Sequence, residues 1–162
     1  MIITEIIDNK STPRGQQLLR EHHIETLFLD NEELRKKILR KHTDHGTEIG
    51  IRFTTNNPPL ADGDILACDE HNAIVVALNP SDVLIIRPTT LVSMGFVAHS
   101  LGNRHLPAQF FDAASGFDPS GRDCMVVQYD HTVEEFLVHN GIPFSRSDKV
   151  TPKPFTHAEH TH

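Results

Sequence analysis

Residues 88–107 read PTTLVSMGFVAHSLGNRHLP, and at this stretch the chain changes texture. Ahead of Pro88 the apolar residues come in short runs punctuated by turns. From Thr89 they fall at helical spacing, with Leu91, Met94, Ala98 and Leu101 on one face. Thr89 or Thr90 is placed to cap the start, because a hydroxyl there accepts from an N–H that the first turn leaves without a partner. Gly102 is expected to end the helix in a left-handed conformation. His105 then stands just past a rigid element, with Pro107 stiffening the exit. An imidazole so placed suits a ligand that reaches outward. The same placement suits a histidine hydrogen-bonded to the helix end.

Upstream, residues 1–87 read as short strands separated by turn signals. Met1 to Ile7 is apolar and β-branched, and Ile24 to Asp30 alternates. Ala61-Asp62-Gly63-Asp64 turns the chain into a strand over Ile65 to Cys68. Glu70-His71-Asn72 leads into Ala73 to Leu78, Asn79-Pro80 turns again, and Val83 to Ile86 closes the series. A small all-β domain, barrel or sandwich, is the expectation. The polar stretch Ser11 to His23 receives no element. Residues 31–42 read two ways: Leu34 and Ile38 lie four apart among good helix formers, whereas Asp44-His45-Gly46 followed by Glu48 to Phe53 points to a hairpin.

Downstream, a second helix starts at the cap candidate Asp130. Glu134 and Glu135 sit in its first turns, Val133, Phe136 and Leu137 form its apolar stripe, and Asn140-Gly141 with Pro143 ends it. Strand candidates are Ala108 to Asp112, Asp123 to Tyr129 and Ile142 to Val150, with Val83 to Arg87 or Leu106 to Phe111 as further edges. Two helices among about four strands fit a ferredoxin-like βαββαβ unit over residues 88–150. The fold class expected is therefore α+β in two domains. Residues 151–162, TPKPFTHAEHTH, read as a flexible histidine-bearing tail.

Bulk properties narrow the function. A formal charge of −7 argues against nucleic acid, whose phosphates need a basic face. No run approaches the ~18 apolar residues of a membrane span, and Met1-Ile2-Ile3-Thr4-Glu5 is unlike a signal peptide. A cytoplasmic protein with no membrane partner is expected. Cys68 and Cys124 form no C-x-x-C pair and read as small buried hydrophobes. Twelve histidines are the unusual quantity, and histidine is the commonest metal ligand. Zincin, Walker and nucleophile-elbow motifs are all missing. Asp62 and Asp64 flank Gly63 as turn residues, so catalysis is not expected.

Leu101-Gly102-Asn103-Arg104-His105-Leu106-Pro107 resembles the L-G-N-R-H-x-P signature of the UreE family, the urease metallochaperones. Leu60 to Leu66, Ile74 to Ala77, Val83 to Ile86, the basic segment Arg35 to Lys41 and Asp130-His131 are also similar to family features. The likeness covers nearly the whole chain. It decides residues 31–42 for the hairpin, with a strand near Arg35 to Lys41. It implies a homodimer in which His105 faces its twin across a two-fold axis and binds Ni²⁺ with it. His157, His160 or His162 of the tail would supply the remaining ligands. Imidazole suits Zn²⁺ and Cu²⁺ at the same site equally well, and nickel is specified by the resemblance alone. The implied partner is the urease maturation complex, reached through a UreG-type GTPase. Ser100 stands where family members often carry histidine, and His99, about 100° around the helix, reads as a helix-edge residue. His22, His23, His42, His45 and His71 read as surface residues of the first domain. His131 and His139, flanking the second helix, read as structural or exposed. The alternatives are a general Ni/Zn/Cu buffering protein without a urease partner, and a hydrolase using a histidine-bound metal to activate water.

Overall fold

In the computed structural model, which describes residues 1–155, the chain is α+β, with eleven strands and three α-helices. It divides into two units: Met1–Pro80 with Val150–Pro154, and Ser81–Lys149 with Phe155. The division falls at Pro80, ahead of the boundary expected at 87, because the strand Ser81–Ile86 pairs with strands of the second unit.

In the first unit β1 (Ile2–Ile3), β4 (Ile38–His42) and β5 (Glu48–Arg52) form a three-stranded sheet. β2 (Asp8–Asn9), β3 (His23–Leu29), β6 (Asp64–Cys68) and β7 (Asn72–Leu78) form a four-stranded one. Alternation puts Ile49 and Ile51 of β5, Leu27 and Leu29 of β3, and Ile74, Val76 and Leu78 of β7 into one core. Each such side chain taken fully out of water contributes about 1.5–3 kcal/mol.

The unit is not all-β. Pro13–Glu21 forms α1 within the stretch that received no element. Thr12 caps it, its Oγ1 accepting from Gly15 N at 2.9 Å, and Pro13 opens it with a φ already suited to a helix. Residues 31–42 hold a 3-10 turn over Glu33–Arg35 and then β4, which starts at Ile38, later than the expected strand. β4 pairs antiparallel with β5 from Ile38↔Arg52 to His42↔Glu48, and Gly46 at φ 85° lets the turn close.

In the second unit the order is β8 (Ser81–Ile86), α2 (Leu91–Gly102), β9 (Ala108–Phe111), β10 (Cys124–Gln128), α3 (His131–His139) and β11 (Phe144–Lys149). The sheet order is β11-β8-β10-β9, antiparallel throughout. Val97 and Leu101 of α2 and Val133 and Leu137 of α3 cover Leu84, Ile86, Met125 and Val127. Val83, Ile85, Cys124 and Val126 point the other way, where Phe155 packs with them. Burial on both faces explains why β8 and β10 read as continuous apolar runs. Residue 155 was expected in a flexible tail; instead Phe155 is only 2 % exposed.

A buried ion pair ties this unit together. Asp118 accepts from Arg87 Nε at 2.6 Å and Nη2 at 2.9 Å, and from Ser120 N and Oγ at 3.0 and 2.6 Å. Arg87 Nη1 also donates to Ser145 Oγ at 2.9 Å. The guanidinium holds the Asp118 carboxyl well below the usual carboxylate range.

Candidate metal centre

α2 begins as its sequence indicates: Thr90 Oγ1 accepts from Ser93 N at 3.0 Å. Its end differs from expectation. Gly102 keeps a negative φ; Asn103 N on His99 O is the last α-helical bond, and the chain then tightens through two i→i−3 bonds, Arg104 N on Leu101 O and His105 N on Gly102 O. The left-handed residue is His105 itself, at φ 55°, and no other non-glycine among the described residues has a positive φ. Histidine is one of the few residues enriched there, yet the conformation still costs on the order of 1 kcal/mol. Leu101, fully buried, and Leu106, half-buried, anchor the turn at either end in the α2–α3 core. His105 is thereby exposed on a short, doubly anchored reversal between α2 and β9.

Arg104 adds a third anchor, one that sequence reasoning missed. Its guanidinium lies over the Phe136 ring of α3 at 5.2 Å, and Phe136 stacks on Phe96 of α2 at 5.9 Å. No local signal links Arg104 to Phe136; only packing of the two helices brings them together. Asp130, the α3 cap, accepts from Thr132 N and Val133 N, and its carboxyl sits below its ordinary range chiefly through the Thr132 hydroxyl, with Arg104 adding a smaller charge effect.

Among the described residues, no group of three or more His, Cys, Asp or Glu side chains is placed to hold a metal ion together. His105 is thus the one expected ligand within the described residues, and it supplies a single imidazole per chain. His157, His160 and His162 lie outside the described residues. His99 is exposed, with Nε2 3.4 Å from Asn103 Nδ2, and Ser100 is half-buried. His131 lies 3.1 Å from Glu135 on the surface of α3. His22 caps α1 through Leu18 O at 2.8 Å, whereas His23, His42, His45 and His71 are exposed.

The Asp62-Gly63-Asp64 turn is structural. Asp62 accepts from Leu78 N at 2.9 Å and pairs with Lys10. Asp64, 6 % exposed, accepts from Ala61 N and Asn9 Nδ2. Burial pushes its carboxyl up. Cys124 is buried and Cys68 half-exposed. Among the described residues, no helix is long and apolar enough to cross a membrane.

Residues 3–79 match the model of the UreE urease accessory protein, N-terminal domain. The chain is 51 % identical to a urease accessory protein UreE from Corynebacterium efficiens and 45 % identical to one from Kocuria rhizophila, each over the full length of both chains. It is 53 % identical to one from Pseudarthrobacter chlorophenolicus over 86 % of this chain and 85 % of the relative. Identity at this level along the whole length, with the Gly102-Asn103-Arg104-His105 turn in place at the end of α2, leaves one assignment: the chain belongs to the UreE family of urease accessory proteins.

Proposed function

We propose that this chain is a nickel metallochaperone that binds Ni²⁺ through His105 from each of two chains at a homodimer contact. It delivers the ion to the urease maturation complex through a UreG-type GTPase. The observation that carries this reading is the exposed imidazole of His105 on an anchored left-handed turn, one donor per chain. One imidazole holds a metal weakly, and a two-fold axis doubles it without further sequence. Leu91 and Val92 on the same helix are 89 % and 83 % exposed and Phe96 is 48 % exposed, an apolar surface that a second copy would cover. His157, His160 or His162 completes the coordination.

The second unit, with its βαββαβ order and helices on one face, is read as ferredoxin-like and dimerising. The first unit is the surface for the protein partner. The protein works in the cytoplasm and catalyses nothing; few exposed ligands suit an ion that must be released. Zn²⁺ and Cu²⁺ fit the same imidazoles.

Calorimetric titration of Ni²⁺ into the full chain, into His105→Ala and into a chain ending at Phe155, which keeps the buried anchor, tests the proposal. The tightest class should hold one ion per two chains, vanish in His105→Ala and weaken on truncation. Tight binding unchanged in His105→Ala would overturn the shared site. A pull-down from urease-producing cells that recovers no maturation protein would favour the general metal buffer instead.

A further inference from the structure

His23 opens β3, and His45 sits in the turn between β4 and β5, 22 residues later. Their Nε2 atoms lie 3.1 Å apart, with ring centroids at 4.8 Å and ring planes at 88°. Folding of the β4–β5 hairpin against β3 brings them together, and that approach is clamped. Asp44 N donates to Thr26 O at 2.9 Å, Asp44 Oδ1 accepts from Thr26 N at 2.8 Å, and Thr43 Oγ1 donates to Glu25 Oε2 at 2.8 Å. His45 Nδ1 lies 2.7 Å from the same Asp44 Oδ1. In neutral His45 that contact keeps the proton on Nδ1, so its Nε2 lone pair accepts the His23 Nε2 proton, which a bound cation displaces.

We propose that His23 and His45 form a two-imidazole site for a late first-row divalent cation (Ni²⁺, Cu²⁺ or Zn²⁺), one per chain and separate from His105. The spacing is that of two neighbouring ligands on one ion. Nitrogens about 2.05 Å from a metal and 3.1 Å apart subtend about 98° at it, between the octahedral and tetrahedral angles. Asp44 supplies the carboxylate that orients a metal-bound histidine through its other ring nitrogen. Glu25 and Asp44 both act on His45 as negative charges, which favour a cation at this surface. With His45 46 % exposed, water fills the remaining positions and the ion exchanges readily. The site is complete within one chain and needs neither the dimer nor the tail, so it stands whether or not His105 binds metal.

The test uses the full-length, ¹⁵N-labelled protein titrated with Zn²⁺, which is diamagnetic, with imidazole nitrogens followed by long-range ¹H–¹⁵N spectra. The Nε2 resonances of His23 and His45 should shift together. In parallel calorimetry, His23→Ala and His45→Ala should each lose one ion per chain, while His105→Ala keeps that class. Asp44→Asn should weaken it by about tenfold through loss of the orienting carboxylate. Both imidazoles lie at the surface, so these variants should keep the wild-type melting temperature. Unmoved His23 and His45 resonances at millimolar Zn²⁺, or unchanged stoichiometry in both alanine variants, would overturn the site.

Discussion

Asp118→Asn tests the energetics of the second unit. The Asp118 side chain has no exposed surface and that of Arg87 is 16 % exposed, so water cannot replace either partner easily. The amide keeps the volume but removes the charge, and it presents an N–H₂ group where the carboxylate accepted from Arg87 or Ser120. Removing one partner of a buried pair costs about 3–5 kcal/mol, because the other charge remains without compensation. That is a large part of the 5–15 kcal/mol, roughly, that holds a domain folded. Urea unfolding followed by far-UV circular dichroism measures it. The pH dependence gives an independent signature. The folded-state pKa of Asp118 is depressed, so its contribution is fully present above the unfolded value, about 4, and is lost as pH falls toward the folded value. The gap between wild type and Asp118→Asn should be full at neutral pH and narrow progressively below about pH 4. The double variant Arg87→Leu/Asp118→Ala should lose less than the sum of the single changes, since it leaves no charge behind. A gap under about 1 kcal/mol, or one that does not change with pH, would refute the reasoning.

Gly15→Ala should destabilise the first unit by about 1–3 kcal/mol, although alanine is the better helix former by ~1 kcal/mol, because the added Cβ would fall 2.0 Å from the Asn9 carbonyl oxygen. A variant more stable than wild type in the same urea assay would show that β2 yields freely. Arg104→Ala removes a cation–π contact worth about 0.5–1 kcal/mol at an exposed site, so stability should barely change. If the stack positions the His105 turn, Ni²⁺ affinity should fall with it, and Arg104→Lys should restore part; unchanged affinity in Arg104→Ala would remove Arg104 from the site.

What the sequence made legible follows the range of the forces involved. Caps and short-period patterns act within a few residues, so α2 from Thr90, α3 from Asp130 and most strands were readable. The segment α1 carries the same kind of signal in Thr12-Pro13, but its polar run of Arg14, Gln16 and Gln17 masked it. β8 was readable both as the last strand of the first unit and as an edge of the second, because a strand buried on both faces shows no alternation and its partners β10 and β11 lie far along the chain. The hairpin at residues 38–52 beat local helix propensity because Leu39, Ile49 and Ile51 join the first unit's core only as strands.

The two proposed histidine sites sort by the same rule. The turn that carries His105 was legible because its helix end is written locally, in Leu101 through Pro107, although the positive φ falls on the histidine and not on Gly102. The two i→i−3 bonds from Arg104 N and His105 N carry the reversal past the glycine before the chain must change hand. The conformation therefore falls on the residue whose imidazole it displays, where leucines on both sides hold it. His23 and His45 carry no such local mark. Each alone reads as a surface histidine, and only the β4–β5 turn closing on β3 sets their nitrogens 3.1 Å apart. A site written in one short motif and a site assembled by tertiary contact differ in how a mutation reaches them. The first is lost by changing its own turn, whereas the second is lost also through Asp44, whose carboxylate holds the hairpin to the Thr26 backbone without touching a metal.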